Sequence, residues 1–224
     1  MLENTKLFGL TILALIPWKI LYNKYKTNQL KYEKQLLFHE RHNCVVMYTN
    51  IKGMSGWPPY KDQIVANIKE KNCLDPLYEP IIYFINTADK SLDISYMIIA
   101  IQKVYNAIIE ACKRGVKIRL LMNFEEIKNN LIPVQDCIKE GVSVQLYHNR
   151  NQNCASIMHH KYMVKDYEEG KSGYIVNGSM NLTSNAFLEN YENLMFSTDS
   201  YLVKSLHDNF EDCWKYIQIE NKNF

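Results

Sequence analysis

The chain has no Cys-x-x-Cys pair, no internal repeat and no low-complexity tract in its 224 residues. Solenoid architectures and zinc sites built on paired cysteines are therefore excluded. Its six cysteines, Cys44, Cys73, Cys112, Cys137, Cys154 and Cys213, are widely spaced, and no small-x-small cleavage pattern follows the apolar run near the N-terminus. Both points suit free thiols in a reducing compartment better than a disulfide framework. Strong charge of one sign is also missing, with 26 Lys and Arg against 24 Asp and Glu. Six of the lysines fall in residues 1–38 beside two acidic residues, which leaves 20 basic against 22 acidic in the rest. A whole-domain basic field is thus absent, and any polyanion has to be held by a local cluster.

Nor is there an unbroken apolar run of the roughly 20 residues that a bilayer core demands. The nearest approach is Leu7 to Trp18, LFGLTILALIPW, which resumes after Lys19 as Ile20, Leu21 and Tyr22. Trp18, Tyr22 and Tyr25 beside Lys19, Lys24 and Lys26 have the make-up of an interfacial belt. We read residues 1–38 as a marginal membrane anchor with a basic stem, its lysines keeping the body on the cytosolic side; a cleaved targeting segment or a buried helix are the alternatives. At this length, with 47% apolar residues, residues 39–224 suffice for one substantial core and not for two full domains.

Within that body, Asn43–Thr49 reads as a short buried strand followed by a Gly and Pro loop, KGMSGWPPYKD. Apolar spacing predicts a helix over Asp75–Lys90, and period-two alternation at Leu92, Ile94, Tyr96 and Ile98 a strand. Ile101, Val104, Ile108 and Ala111 mark the next helix, stopped by Arg114-Gly115. A strand over Val116–Met122, a helix over Pro133–Glu140 and a strand over Val142–Tyr147 continue the alternation. Strand-helix-strand spacing of this kind points to crossover units, hence an α/β fold with a mixed, largely parallel sheet flanked by helices. His160–Lys165, Gly173–Asn177 and Asn193–Ser197 are further short strands, and Tyr201–Ile217 a closing helix.

The segment MHHKYMVKD carries His159, Lys161 and Asp166, and twelve positions beyond Asp166 comes Gly178-Ser179-Met180-Asn181. On a strand His159 and Lys161 share a face, because side chains alternate. A phosphodiester is an anion that needs a nucleophile, a cation to balance its oxygens and donors to orient them, so His, Lys and Asn on adjacent strands make chemical sense. Glu192, in NYEN, is suited to hold an imidazole N–H and fix its tautomer. Asp166 lies an odd number of residues from both His159 and Lys161 and so supports the local fold. His160, the rival nucleophile, falls on the opposite face from Lys161 and is read as packing.

These residues together match the phospholipase D pattern H-x-K-x4-D followed by G-S-x-N. The chain resembles the single-motif mitochondrial members, the Zucchini or mitochondrial cardiolipin hydrolase group, over roughly residues 75–217 through SLDISYMI, ACKRGVKIRLL, HHKYMVKD, NGSMNLTSNA and NYENLMF. That resemblance implies an α/β sandwich and a mechanism free of metal ions and cofactors. It also implies a homodimer with a shared site, because the reaction uses two H-x-K histidines and each chain supplies one. His159 of one subunit would be nucleophile and His159 of the other general acid, with Lys161 and Asn181 cradling phosphoryl oxygens, Ser179 adding a donor and Glu192 orienting His159.

The group is also similar in carrying a zinc finger, whereas here only His39, His42, Cys44 and Cys73 stand in the corresponding region, without paired short spacing. Another departure is the turn Lys165-Asp166-Tyr167-EEGKSG, longer than usual. The resemblance leads first to a single-stranded RNA endonuclease of piwi-associated RNA production at the mitochondrial outer membrane. Such a groove needs flanking cations, for which Lys113, Arg114, Lys117, Arg119 and Arg150 are the candidates. Cardiolipin hydrolysis to phosphatidate is the alternative, and a catalytically silent membrane scaffold the second.

Overall fold

The computed structural model describes residues 2–49, 53–61, 75–149 and 155–222. Contacts divide the chain into two compact units, residues 1–40 and 41–224. The first unit is a single long helix, α1 (Leu2–Arg41). Trp18, Ile20, Leu21, Tyr22 and Tyr25 are exposed along it. No helix among the described residues is long and apolar enough to cross a membrane.

The second unit is built on one eight-stranded sheet. In chain order its elements are β1 (Cys44–Thr49), β2 (Gly53–Ser55), α2 (Asp75–Asn86), β3 (Ser91–Tyr96), α3 (Gln102–Lys113), β4 (Lys117–Asn123), α4 (Phe124–Ile127) and α5 (Ile132–Lys139). They are followed by β5 (Ser143–Tyr147), β6 (Lys161–Lys165), β7 (Tyr174–Gly178), α6 (Ser184–Leu188), β8 (Glu192–Ser197) and α7 (Ser200–Lys222). Spatial order across the sheet is β2-β1-β8-β7-β6-β3-β4-β5.

The sheet is mixed, but the expectation of a largely parallel one is corrected. Only β3–β4 and β4–β5 pair in parallel; β1–β2, β1–β8, β3–β6, β6–β7 and β7–β8 are antiparallel. The physical reason is the connections. Helical crossovers α3 and α5 return the chain to the same end and force parallel pairing, whereas β6 and β7 are joined by a short turn that reverses direction. Gly115 stops the α3 turn with φ +94°, the left-handed conformation expected of it.

Both faces of the sheet are covered. Leu92, Ile94 and Tyr96 of β3, Leu120 and Met122 of β4, and Met163 of β6 pack against Ile81, Phe84 and Ile85 of α2 and Val104 and Ile108 of α3. On the other face Leu121, Tyr162, Val164 and Ile175 pack against Val203, Phe210, Trp214 and Ile217 of α7. Burying a dozen such side chains at about 25 cal/mol per Å² supplies most of the drive for folding. β2, α4 and α6, each five residues or fewer, were not expected from periodicity, which needs longer runs to register.

Buried polar groups meet beside the first core. Lys165 is fully buried, its Nζ 2.7 Å from His42 Nε2 and donating to Thr87 Oγ1 at 2.7 Å and Phe84 O at 3.2 Å. It also lies over the rings of Phe84 and Tyr174, at 4.4 and 4.9 Å. Burial pushes its pKa down to about 7, against a smaller upward pull from Asp166.

Candidate active site

Register decides which of the sequence-read residues meet. β6 pairs with β3 so that Lys161 faces Tyr96 and Lys165 faces Leu92; the H-x-K end and the Asp166 end of the motif therefore lie at opposite ends of the same strand. Ser179–Leu182 leaves the end of β7, and Leu182 bonds to Ile98 and Ala100 just beyond β3. Because β6 lies between β7 and β3, this segment crosses the end of β6 that carries His159 and Lys161. Glu192 opens β8 at that end as well, since Ser179 N donates to Asn193 O at 3.2 Å.

His159 is exposed while Lys161 is buried. The Lys161 ammonium sits 3.3 Å from His159 Nδ1 and 3.2 Å from Nε2, and donates to His159 O at 3.2 Å. At these distances from both ring nitrogens the cation can balance charge on an oxygen of a phosphoryl group held by the ring. Burial lowers the Lys161 pKa, and the Glu192 carboxylate opposes that shift. Asn181 is half-buried and its Oδ1 is buried without a partner, an unspent polar group at the same end of the sheet.

Glu192 is placed otherwise than expected. Its Oε2 accepts from the Ser179 hydroxyl and its Oε1 from Asn190 Nδ2 at 2.9 Å, so within the chain the carboxylate grips the β7–β8 end and acts on Lys161 through charge rather than bonding the His159 ring. Ser179 is likewise committed, with its Oγ also accepting from Asn193 N at 3.2 Å. Asp166 adopts φ +53°. Its carboxylate accepts from the backbone N–H groups of Asp89, Lys90 and Ser91 at 2.7–3.1 Å, which ties the end of β6 to the turn before β3. His160 lies opposite Lys161, as read from its parity, with Nδ1 3.1 Å from Ser95 Oγ.

The cations read as groove-flanking stand elsewhere. Lys117 pairs with Ser91 and Arg119 with Asp93, whereas Lys161 is level with Tyr96, so Lys117 is about 16 Å along the strands from the site. Arg119 is held by Asp93 at 2.7 and 2.8 Å and by Glu211 at 2.6 Å. Arg114 donates to Asn86 O at 3.0 Å, closing the end of α2, and Lys113 pairs with Glu110. Arg150 lies outside the described residues. Sequence gives a strand's direction only after its neighbours are known, so it does not say which end of the sheet these four occupy.

Two clefts deserve comparison. The larger, about 600 Å³, lies at the Lys117 end and is lined by Asp93, Arg119, Tyr167 and His207 among others. Asp93, His207 and Glu211 converge there closely enough to hold a metal ion, but the Arg119 guanidinium already supplies the positive charge. The second, about 500 Å³, is lined by His159 itself together with Tyr147, Ile157, Met158, His160, Tyr216 and Ile217. Of the zinc set weighed from sequence, Cys73 lies outside the described residues, and His42 Nε2 is turned to Lys165.

Residues 81–214, more than half of the chain, match the family described as cardiolipin synthase, PLD-like domain. The chain belongs to the phospholipase D-like family. Within it, a mitochondrial cardiolipin hydrolase of Chlamydomonas reinhardtii is 24% identical over 58% of this chain and 54% of that protein. Another protein of that name, from Xenopus laevis, is 22% identical over 73% and 75%, and the Homo sapiens protein is 25% identical over 61% and 50%. The chain thus spans about half the length of the algal and human relatives and three quarters of the frog one. Among solved structures, NucT from Helicobacter pylori superposes with TM-score 0.54 at 21% identity, covering 63% of this chain and 89% of that one. Nuc from Salmonella typhimurium, a phospholipase D family member, gives 0.51 at 19%, covering 60% and 84%. The phospholipase D-like fold is thereby shared.

Proposed function

We propose that this phospholipase D-like chain is a hydrolase of glycerophospholipid diesters, cardiolipin above all, and that it works as a homodimer through a phosphohistidine. The observation that carries the reading is the exposed His159, with a buried ammonium 3.2–3.3 Å from its ring nitrogens and a cleft beside it walled by Ile157, Met158, Tyr216 and Ile217. An apolar wall next to the nucleophile suits a glycerolipid leaving group. Among the described residues, the candidate groove cations Lys113, Arg114, Lys117 and Arg119 are at the far end of the sheet, and the names of the relatives point to the same lipid.

In this mechanism one His159 nitrogen attacks phosphorus, and His159 of the partner subunit donates a proton to the departing glycerol oxygen. The same partner imidazole then takes a proton from water, which attacks the phosphohistidine and releases phosphatidate. Lys161 and Asn181 balance and orient the phosphoryl oxygens. The N-terminal helix, with exposed Trp18, Leu21 and Tyr22 among lysines, would rest on an anionic mitochondrial surface.

The test offers the purified chain cardiolipin vesicles and, separately, labelled single-stranded RNA, both with chelator present. Phosphatidate release that persists in chelator and disappears in His159→Asn is the expected result. Cleavage of RNA with cardiolipin untouched would replace the lipid reading with the nuclease one; inertness of a folded dimer toward both would leave a scaffold.

A further inference from the structure

Besides the contacts that Lys161 makes with His159, hydrogen bonds hold the residues on either side of it. Met158 N donates to Asn123 Oδ1 at 3.3 Å, and the His160 ring meets Ser95 Oγ at 3.1 Å through Nδ1. On an extended segment alternate residues share a face, so Met158 and His160 point one way and His159 the other. Ser95 lies beneath both neighbours, its hydroxyl also 3.7 Å from Met158 Sδ. The backbone is tied down beside them: His160 O accepts from Met97 N at 2.8 Å, and Met97 O accepts from Asn123 N at 3.2 Å.

Asn123 is diverted to this task. It occupies the N-cap of α4 with extended backbone, φ −82° and ψ 119°, yet its side chain makes no capping bond, although satisfying a first-turn N–H is what an N-cap Asn ordinarily does. The side chain is buried, and its Nδ2 has no partner, an arrangement that costs about 1–3 kcal/mol. A forgone cap and an unsatisfied donor are tolerated together where the remaining bond serves the site.

We propose that Ser95 and Asn123 are positioning residues that fix the direction of the His159 imidazole through the residues on either side of it. The proposal rests on His159 being the nucleophile. An imidazole on a loosely held strand end samples several tilts, and a reacting group displaced by about 1 Å loses about 100-fold in rate. Held at Met158 and at His160, the segment keeps the His159 imidazole in one orientation.

Three variants test this: Ser95→Ala, Asn123→Leu and Asn123→Asp, the last keeping the acceptor oxygen. The first two should lower kcat about 10- to 100-fold with KM within about 2-fold, while Asn123→Asp recovers most of the loss. Imidazole NMR signals of His159, assigned by their loss in His159→Asn, should be single and sharp in the wild type and in Asn123→Asp, and broadened or doubled in the other two. Signals that stay single and sharp in Ser95→Ala and Asn123→Leu overturn the proposal whatever the activity. If instead the ring loosens in a chain that hydrolyses nothing, the positioning stands and the hydrolase reading is what fails. Should Asn123→Leu not fold, Ser95→Ala, which removes one oxygen, gives the same decision.

Discussion

Lys165 shows how one residue of the motif segment serves the fold while another lies beside the proposed nucleophile. Lys161 and Lys165 share a face of β6, but the first ends beside His159 and the second is enclosed by His42, Thr87, Phe84 and Tyr174. Since burial holds the Lys165 pKa at about 7 against 10.5 ordinarily, the unfolded chain binds the extra proton between those values. Stability therefore rises with pH across that window, by up to about 1.4 kcal/mol per unit, and is flat in this group below it. Urea unfolding of wild type and Lys165→Met between neutral pH and about 9.5 checks this: the wild type should gain stability relative to the variant as pH rises. Parallel curves would show that Lys165 keeps its ordinary proton affinity. At this scale the sequence was a good guide wherever parity spoke, as for His159 with Lys161 and for Asp166 against both. It was silent on Ser95 and Asn123, because a buried serine and an Asn at a helix start look the same whether or not they steer a histidine.

Among elements, β7 and β8 approach closely at Gly178. A Cβ added to Gly178 would lie 2.0 Å from Asn193 O, so only glycine lets the two strands come together where Ser179 and Glu192 bond across them. Gly178→Ala should destabilise the fold by about 1–3 kcal/mol and reduce turnover further than that loss alone explains, since it parts the two elements that present Asn181 and Glu192. Thermal melts and initial rates measured together separate the two effects, and an unchanged rate in the folded fraction would show that the strand gap does not matter to the site. Long elements were legible in the sequence: α2, α3, α5 and α7, and the strands β1 and β3 to β8, fall within a few residues of their predicted positions. What stayed hidden was pairing. Hydrophobic alternation shows that Val116–Met122 is a strand but not which end of it faces the histidine, and so it could not tell how far Lys117 and Arg119 lie from the site.

For the molecule as a whole, one chain presents a single His159 on an open end of the sheet, and the two-histidine reaction proposed above needs a second. Heterodimers of wild type with His159→Asn carry one competent imidazole per shared site. Isolated through different affinity tags, they should turn over at least about 100-fold more slowly than the wild-type pair; undiminished turnover would mean that each subunit works alone. The site also stands on the seam where β6, from the second half of the chain, pairs with β3, from the first. His159, Lys161 and the proposed positioning residues Ser95 and Asn123 come from segments separated by some tens of residues, and distant partners of that kind find one another slowly. Enzymatic competence is consequently a late milestone of folding, and recovered turnover would report a finished molecule more faithfully than regained helix content does.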